Sequence, residues 1–464
     1  MTLRWLAVLI LLGGCTPEPA PESEPVHFGD AAADAGLDFA HYNAFAGEYF
    51  YVETFGAGAA FLDYDSDYDL DLYLVNGSYL TGLPPDPLPV NRLYRNDNRG
   101  RSFTDATARG GAADPGYGFG VAAADYDADG DPDLYVANYG ANALYRNDGG
   151  IFSAVDAGVA DPRWSTSTGF LDYDRDGDTD IYVANDGTMN FLYENQGGTF
   201  AEIGLVAGTR YDEHGHAEAG MGVDFGDYDR DGDMDLYVTN FAFETNTLYH
   251  NDGQGEFDIA SGRLGLGDIS FRPLGFGTKF LDYDNDRDLD IFVANGHVMD
   301  VVAEWDSTQT YRQTNQLFRS ENGEHFSDIS RELGPAFAAA NVGRGTAVAD
   351  YDDDGDLDLL VTTVADRVRL LRNDGGNRNH WLQILLVGKA HPDALGARVV
   401  VTAGGVRQAQ ERQSGGSYLA SHDPRLHFGL GDATRAKVEI TWPGGAMLTL
   451  DDIAANQVLR VAEQ

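Results

Sequence analysis

Apolar positions in this chain come in short runs, each bounded by glycine or acidic residues, and the runs recur in a fixed order. The first kind is glycine-rich: Gly118-Phe-Gly-Val-Ala-Ala-Ala124, Gly220-Met-Gly-Val-Asp-Phe-Gly226 and Gly275-Phe-Gly-Thr-Lys-Phe-Leu281. The second is compact, as in Leu134-Tyr-Val-Ala137, Ile181-Tyr-Val-Ala184 and Leu236-Tyr-Val-Thr239. The third appears as Asn142-Ala-Leu-Tyr-Arg-Asn147, Asn246-Thr-Leu-Tyr-His-Asn251 and Asn315-Gln-Leu-Phe-Arg-Ser320. The fourth follows a turn and is headed by Phe103, Phe152, Phe200, Phe257 or Phe326. Glycine density and β-branched or aromatic centres speak against helices and for strands. The runs are apolar on both faces, as when small sheets are buried between neighbours.

Four strands per unit, repeated, predict an all-β chain built as a β-propeller of four-stranded blades. Between the first and second strand of each unit stands Asp-Tyr-Asp-x-Asp-x-Asp-x-Asp, and these motifs start 62, 47, 55, 55 and 68 residues apart, giving six blades. The sixth unit ends at Leu371-Arg-Asn-Asp374 without a Phe-headed strand, while Phe28-Gly-Asp-Ala near the start resembles Phe103-Thr-Asp-Ala. The strand near Val26–Ala31 is therefore expected to complete the last blade.

From Asn377 the repeat stops. Runs at His380–Val387, Ala397–Thr402, Arg407–Arg412, Arg425–Gly429, Lys437–Trp442 and Val458–Val461, separated by Gly-Gly and Pro-Gly turns, predict a small β-sandwich or barrel over 377–464. The propeller is assigned to 26–376, a Pro/Glu-rich tether to 16–25 and a signal peptide to 1–15. In the last, an apolar run too short to span a bilayer precedes Leu12-Gly-Gly-Cys15, which resembles a bacterial lipobox. Cys15 is the only cysteine, so no disulfide is available and lipidation is its expected use. That address implies a bacterial cell envelope and, since Thr16 is no retention signal, the outer membrane.

A formal net charge of −44 excludes nucleic acid and anionic lipid surfaces as partners, leaving membrane contact to the lipid anchor. The five odd positions of the six motifs hold 30 of the 75 acidic residues. They are Asp63, Asp65, Asp67, Asp69 and Asp71; Asp125, Asp127, Asp129, Asp131 and Asp133; Asp172, Asp174, Asp176, Asp178 and Asp180. They continue as Asp227, Asp229, Asp231, Asp233 and Asp235; Asp282, Asp284, Asp286, Asp288 and Asp290; Asp350, Asp352, Asp354, Asp356 and Asp358. Alternate residues of a tight loop converge, so each motif is expected to hold one Ca²⁺ through oxygen ligands, about six in all, structural rather than catalytic. The loop differs from an EF-hand in lacking a Glu at its twelfth position and flanking helices. At the seventh position the carbonyl is the expected ligand and the side chain is left to cap a turn or serve a further metal. Tyr68 and Arg287 stand where the other copies have glycine, which predicts strain, weaker binding or a distorted loop there.

Long connections at Gly77–Val90 and Gly296–Gln313, the latter with a short helix expected at Met299–Trp305, leave the second strand and should share one face. On that face Asn240, Glu244 and His297 are the ligand-binding candidates. Glu213-His-Gly-His216 with Glu218 has metal-ligand chemistry but sits in a loop, and Gly415-Gly-Ser-Tyr418 is not a nucleophile elbow. No catalytic residues are assigned.

The Asp motifs with Gly-x-Gly strands resemble FG-GAP/VCBS repeats. Leu395-Gly-Ala-Arg-Val, Gly415-Gly-Ser-Tyr-Leu, Asp423-Pro-Arg-Leu-His-Phe-Gly-Leu-Gly431 and Trp442-Pro-Gly-Gly445 resemble the ASPIC/UnbV domain. The pairing is similar to the cartilage acidic protein family. The resemblance implies a calcium-rich propeller with binding or adhesion as its role, and seven blades where the motif count makes six, so seven is kept as the alternative. The expected function is that of a monomeric, calcium-binding envelope lipoprotein recognising a glycan or an extracellular protein. The alternative is a metal-assisted hydrolase or lyase acting on carbohydrate or phosphoester.

Overall fold

The computed structural model describes residues 25–464 apart from 46, 49, 83, 98, 100, 101, 157–166, 177, 178, 197, 198, 213 and 390. The signal peptide and Cys15 lie outside the described residues, as does almost all of the tether.

Among the described residues the repeats fold as antiparallel four-stranded sheets. Sheet 1 is Ala59–Leu62, Asp71–Leu74, Arg92–Asp97 and Ser102–Asp105. Sheet 2 is Gly118–Ala124, Asp133–Asn138, Ala143–Asn147 and Phe152–Val155. Sheet 3 is Thr168–Leu171, Asp180–Val183, Phe191–Asn195 and Phe200–Glu202. Sheet 4 is Val223–Gly226, Asp235–Val238, Thr247–Asn251 and Phe257–Ile259. Sheet 5 is Gly275–Leu281, Asp290–Asn295, Gln316–Ser320 and Phe326–Asp328. Sheet 6 is Gly343–Ala349, Asp358–Thr363 and Arg369–Asp374, and its fourth strand is His27–Asp30. Phe28 faces Asn373 in the register that Phe103 and Asn96 keep in sheet 1. These are propeller-like blades.

The motif tyrosine wedges neighbouring sheets together. Tyr64 of sheet 1 stacks 6.2 Å from Phe152 of sheet 2, Tyr173 6.1 Å from Phe257, and Tyr351 of sheet 6 lies 6.0 Å from Phe103 of sheet 1. The last asparagine of a third strand reaches the same junction. Asn147 Nδ2 donates to the Tyr64 carbonyl (2.8 Å), Asn251 to Tyr173 (3.0 Å), Asn373 to Tyr283 (2.7 Å) and Asn96 to Tyr351 (3.1 Å). An apolar contact and a buried amide bond thus repeat from sheet to sheet, each of these amide groups donating to a carbonyl.

The C-terminal residues form two further sheets around one core. One joins Leu426–Gly431, His380–Val387 and Val458–Ala462, the last pair parallel. The other joins Val406–Glu411, Arg398–Ala403, Arg435–Thr441 and Met447–Ala454, a strand absent from the sequence expectation. Leu382, Phe428, Val399, Val438 and Ile440 are buried between them.

Residues 414–423 leave this unit and run among the first strands of the repeats. Gly415 pairs with Gly169 of sheet 3, and Val223 N–H of sheet 4 donates to the Ser417 carbonyl (2.8 Å). Thr278 N–H of sheet 5 donates to Ser417 Oγ (3.2 Å), and Val121 N–H of sheet 2 to the Leu419 carbonyl (3.3 Å). Ser421 N–H donates to Ala59 of sheet 1 (2.9 Å) and Asp423 N–H to Val348 of sheet 6 (3.0 Å). The segment therefore touches every one of the six sheets. Its left-handed Gly415 and Gly416, at φ 76° and 93°, are the conformations that glycine adopts without a Cβ clash. Tyr418, which follows the Gly415-Gly416 turn, is buried and packs edge-on against Phe276 at 5.0 Å.

Candidate metal loops and the opposite face

The Asp motifs connect first to second strands, and each position has a separate task. The ninth-position carboxylate ties the loop to the sheet. Asp71 accepts Tyr64 N–H (3.0 Å) and Asn96 N–H (2.7 Å), and Asp133 accepts Tyr126 N–H (3.0 Å) and Asn147 N–H (2.8 Å). The first-position carboxylate gathers the turn: Asp125 accepts from Asp129 N–H (3.1 Å) and Gly130 N–H (3.0 Å). The third-position side chain accepts the fifth-position N–H in loops 3 and 4, Asp174 from Asp176 (3.1 Å) and Asp229 from Asp231 (3.3 Å), and is left over in loops 1, 5 and 6. One oxygen each of Asp65, Asp284 and Asp352 is buried without a hydrogen-bond donor.

Ligand atoms of positions one, three and nine lie within 4.8 Å of one another in Asp63/Asp65/Asp71, Asp125/Asp127/Asp133 and Asp172/Asp174/Asp180. Burial, reinforced by neighbouring carboxylates, pushes Asp71 up to about 9, Asp133 to about 6 and Asp180 to about 7. Asp290 and Asp358 lie well above the usual carboxylate range for the same two reasons. Such a site has excess negative charge, converging oxygens and an orphan acceptor, and so fits a hard dication held by oxygen. The carboxylates at positions one, three, five and nine would hold it, their lone pairs beyond the N–H bonds being free for ligation.

Seventh-position side chains face elsewhere. Asp131 accepts Gly149 N–H (2.7 Å) and Ser66 Oγ–H of the preceding loop (3.4 Å). Asp288 accepts Asn322 N–H (2.8 Å) and pairs with Arg230 of the preceding loop (2.7 Å), while Asp233 pairs with Arg175 and Asp356 accepts Asn377 N–H (3.0 Å). Asp69 accepts Arg99 N–H (3.4 Å), and Asp178 lies outside the described residues. These carboxylates cap turns and link loops. Their fourth-position partners Ser66, Arg175 and Arg230 went unnoticed in the sequence, although they share a positive φ of 60° to 65°.

Tyr68 and Arg287 adopt the glycine conformation at φ 72° and 87°. Their N–H groups still reach the first-position carboxylates, at 3.0 and 2.8 Å, so neither loop is distorted. Both side chains extend to the C-terminal unit: Tyr68 to Arg460 and Arg287 to Asp432 (4.0 Å). That unit sits on the loop side of the repeats. Gln383 Nε2 donates to Asp350 (2.8 Å), Arg425 pairs with Asp353 (2.7 Å) and Asn379 donates to the Asp284 carbonyl (2.9 Å). Arg398 donates to the Gly232 carbonyl, and Asp172 N–H to Glu411 Oε1 (3.0 Å).

At the opposite strand ends two of the three binding candidates are buried. Asn240 Nδ2 donates to the Thr245 carbonyl (2.7 Å), and His297 Nδ1 accepts Met299 N–H (3.0 Å) against Phe241. Glu244 is half-buried and accepts Ala219 N–H (2.9 Å) and Phe241 N–H (3.3 Å). All three shape the loop backbone rather than face solvent. Arg344, fully buried, binds the carbonyls of Thr54, Gly296 and His297 and lies 3.9 Å over the Phe276 ring. The expected helix is a single turn, Val302–Trp305. His214 and His216 are exposed, and Glu213 lies outside the described residues.

What does face solvent there is aromatic. Tyr139 is 48 % exposed, Phe243 44 %, Phe271 41 % and Trp305 74 %, and Tyr51, 55 % exposed, hydrogen-bonds Asp186. The sequence signal was an aromatic shortly after the second strand, as in Asn138-Tyr139.

The FG-GAP-like repeat matches residues 63–136, 125–183, 172–238 and 282–361, and the ASPIC and UnbV domain matches 388–464. Cartilage acidic protein 1 of Homo sapiens is 32 % identical over 287 residues, covering 59 % of this chain and 40 % of the human protein. The Xenopus tropicalis protein is 31 % identical over 288 residues, with 59 % and 41 % covered, so the chain spans about two fifths of these relatives. Among solved structures, the SapL1 lectin in complex with α-methyl fucoside aligns at a TM-score of 0.36 and 14 % identity, covering 67 % of this chain and 89 % of the lectin. A lectin of Agrocybe aegerita specific for non-reducing terminal N-acetylglucosamine aligns at 0.30 and 16 %, covering 57 % and 63 %. On its repeats and its C-terminal domain, the chain belongs to the FG-GAP-like repeat family, in the architecture that joins those repeats to an ASPIC and UnbV domain.

Proposed function

We propose that this chain is a cell-envelope binding module. Six blades close into one propeller, Ca²⁺ at the Asp loops stiffens it, and a lipid on Cys15 tethers it. The end of the blades opposite the Asp loops is presented to a glycan or protein partner. The observation that carries this reading is a division of labour between the two ends. The C-terminal domain occupies the Asp-loop end through Gln383, Arg398 and Arg425. The other end keeps Tyr51, Tyr139, Phe243 and Trp305 exposed on the connections between strands. Exposed aromatics beside polar groups such as Asp186 mark surfaces that bind, since a ring supplies apolar area while hydroxyls and carboxylates set orientation. The acidic surface favours a neutral or cationic partner over a polyanion.

The test is a glycan array together with a panel of purified envelope proteins, comparing the parent with a Tyr51→Ala/Tyr139→Ala/Trp305→Ala variant. Binding should vanish in the variant while calcium-dependent melting is unchanged. Undiminished binding by a folded variant would remove the face from the proposal.

A further inference from the structure

The fourth Asp loop differs from its five counterparts at one neighbouring residue. On the third strand, one residue before the position that binds the ninth carboxylate, the other sheets carry Arg95, Arg146, Glu194, Arg319 and Arg372. Sheet 4 carries His250. In sheets 1, 2 and 6 the arginine pairs with the aspartate two residues on: Arg95 with Asp97, Arg146 with Asp148 and Arg372 with Asp374. Asp252 stands at that place in sheet 4, but it accepts Gln254 N–H (2.8 Å) and Glu256 N–H (3.2 Å) instead. The His250 ring packs on Tyr228 with 6.0 Å between centroids and lies over the loop carboxylates. Its Nδ1 is 3.1 Å from Asp235 Oδ1 and 3.5 Å from Asp229 Oδ2.

Two ligand groups overlap here. Asp227, Asp229 and Asp231 bring oxygens within 4.8 Å of one another, and so do Asp229, Asp235 and His250. Asp229 belongs to both, so an imidazole nitrogen joins a cluster that is all oxygen in the other loops. In loops 1, 5 and 6 the third-position carboxylate has a buried oxygen without a donor. In loop 4 Asp229 Oδ1 accepts Asp231 N–H (3.3 Å) and the His250 ring stands beside Oδ2 (3.5 Å).

We infer that the fourth Asp loop takes a borderline transition-metal dication such as Zn²⁺, with His250, Asp229 and Asp235 among its ligands, while the other loops take a hard oxygen-ligated cation. Calcium gains little from a nitrogen ligand, whereas imidazole with carboxylates suits Zn²⁺, Mn²⁺ or Ni²⁺. The inference rests on reading the Asp loops as metal sites, and the experiment separates the two.

The full chain carries His214→Ala and His216→Ala to remove the exposed imidazole pair. It is saturated with Ca²⁺, exposed to Zn²⁺, desalted in Ca²⁺ buffer and assayed for metal, with Co²⁺ as the spectroscopic substitute. The expected result is about one Zn²⁺ per chain and a Co²⁺ visible band typical of nitrogen–oxygen ligation. Both should be lost in His250→Arg, which installs the residue of the neighbouring sheets, and in the smaller change His250→Gln. Calcium-dependent melting should persist in both variants. Zinc retained equally by the variants, or not held by the parent, overturns the inference and leaves His250 as an ion-pair partner of Asp235. Melting insensitive to calcium in every protein would instead overturn the reading of the loops.

Discussion

Arg460 of the C-terminal domain lies 5.5 Å from the ring centre of Tyr68 in the first Asp loop and donates Nη1–H to its hydroxyl at 3.1 Å. Tyr68 occupies a glycine position at φ 72°, so the loop accepts backbone strain where it gains a side chain that reaches the docked domain. The two consequences can be separated. Tyr68→Ala and Tyr68→Gly both lose the ring, but only alanine keeps a Cβ in the left-handed conformation. Tyr68→Gly should therefore be the more stable of the two by about 1 kcal/mol in urea unfolding. Crossed with Arg460→Ala, Tyr68→Ala should show a coupling of about 0.5 kcal/mol, the scale of an exposed cation–π pair. A coupling of zero would make the contact incidental.

Asp352 tests whether the orphan oxygens belong to a cation site. Burial and neighbouring carboxylates push it up to about 6. In chelator, Asp352→Asn should be no less stable than the parent, because it removes like-charge repulsion. In Ca²⁺ it should be less stable, because a site saturated at about 100 times its Kd contributes about 2.7 kcal/mol. Thermal melts in both conditions should thus rank the two proteins oppositely in Ca²⁺ and in chelator. The same rank in both would argue against a cation in this loop.

Gly58 packs directly against the inserted C-terminal segment. A Cβ added there would lie 1.6 Å from the Leu419 carbonyl oxygen, a backbone atom held by its own hydrogen bond. Gly58→Ala should expel residues 414–421 from among the first strands, at a cost of about 3 kcal/mol or more. Limited proteolysis should reveal it as new cleavage near Gly415–Tyr418, which is inaccessible in the parent. An unchanged digestion pattern at unchanged stability would contradict the placement.

Glu218 sits at the face opposite the Asp loops, where burial pushes it up to about 7 although the Thr247 hydroxyl donates to it at 2.9 Å. Its folded value lies above the unfolded one, so its contribution favours folding in acid and is lost as pH rises from about 4.5 through 7. Glu218→Gln, which keeps the shape and an acceptor, escapes that loss. The variant should gain on the order of 2 kcal/mol over the parent at pH 8 and nothing at pH 4. Denaturant titrations at the two pH values decide it, and an equal difference at both would assign the effect to packing.

Much of this architecture is local in origin, and so could be read from sequence. The Asp motif is complete within nine residues, with position-specific spacing, so repeated copies declare themselves. Phe28 could be matched to sheet 6 because the strand it heads resembles Phe103-Thr-Asp, and the structure pairs it with Asn373 in the corresponding register. Backbone conformation followed the same logic: Tyr68 and Arg287 take the positive φ that their place in the motif demands.

What the chain alone could not settle was which polar groups meet across long separations. Gly415-Gly416 reads as a turn because glycine makes turns, yet it opens a segment, running to Asp423, that lies among six first strands whose backbone partners no local pattern announces. Asn240 and His297 look like surface ligands in sequence, but both are buried and bond the backbone of their own loops, Asn240 Nδ2 to the Thr245 carbonyl and His297 Nδ1 to Met299 N–H. The same holds for the Asp loops. The sequence sets only the seventh carboxylate apart from the other four, and packing assigns the ninth to the sheet, links the seventh to the neighbouring loop, and leaves a third-position oxygen without a donor in loops 1, 5 and 6. Local chemistry determined the repeat and its charge. Tertiary contacts between distant residues decided which end is covered by the C-terminal domain and which end is left open.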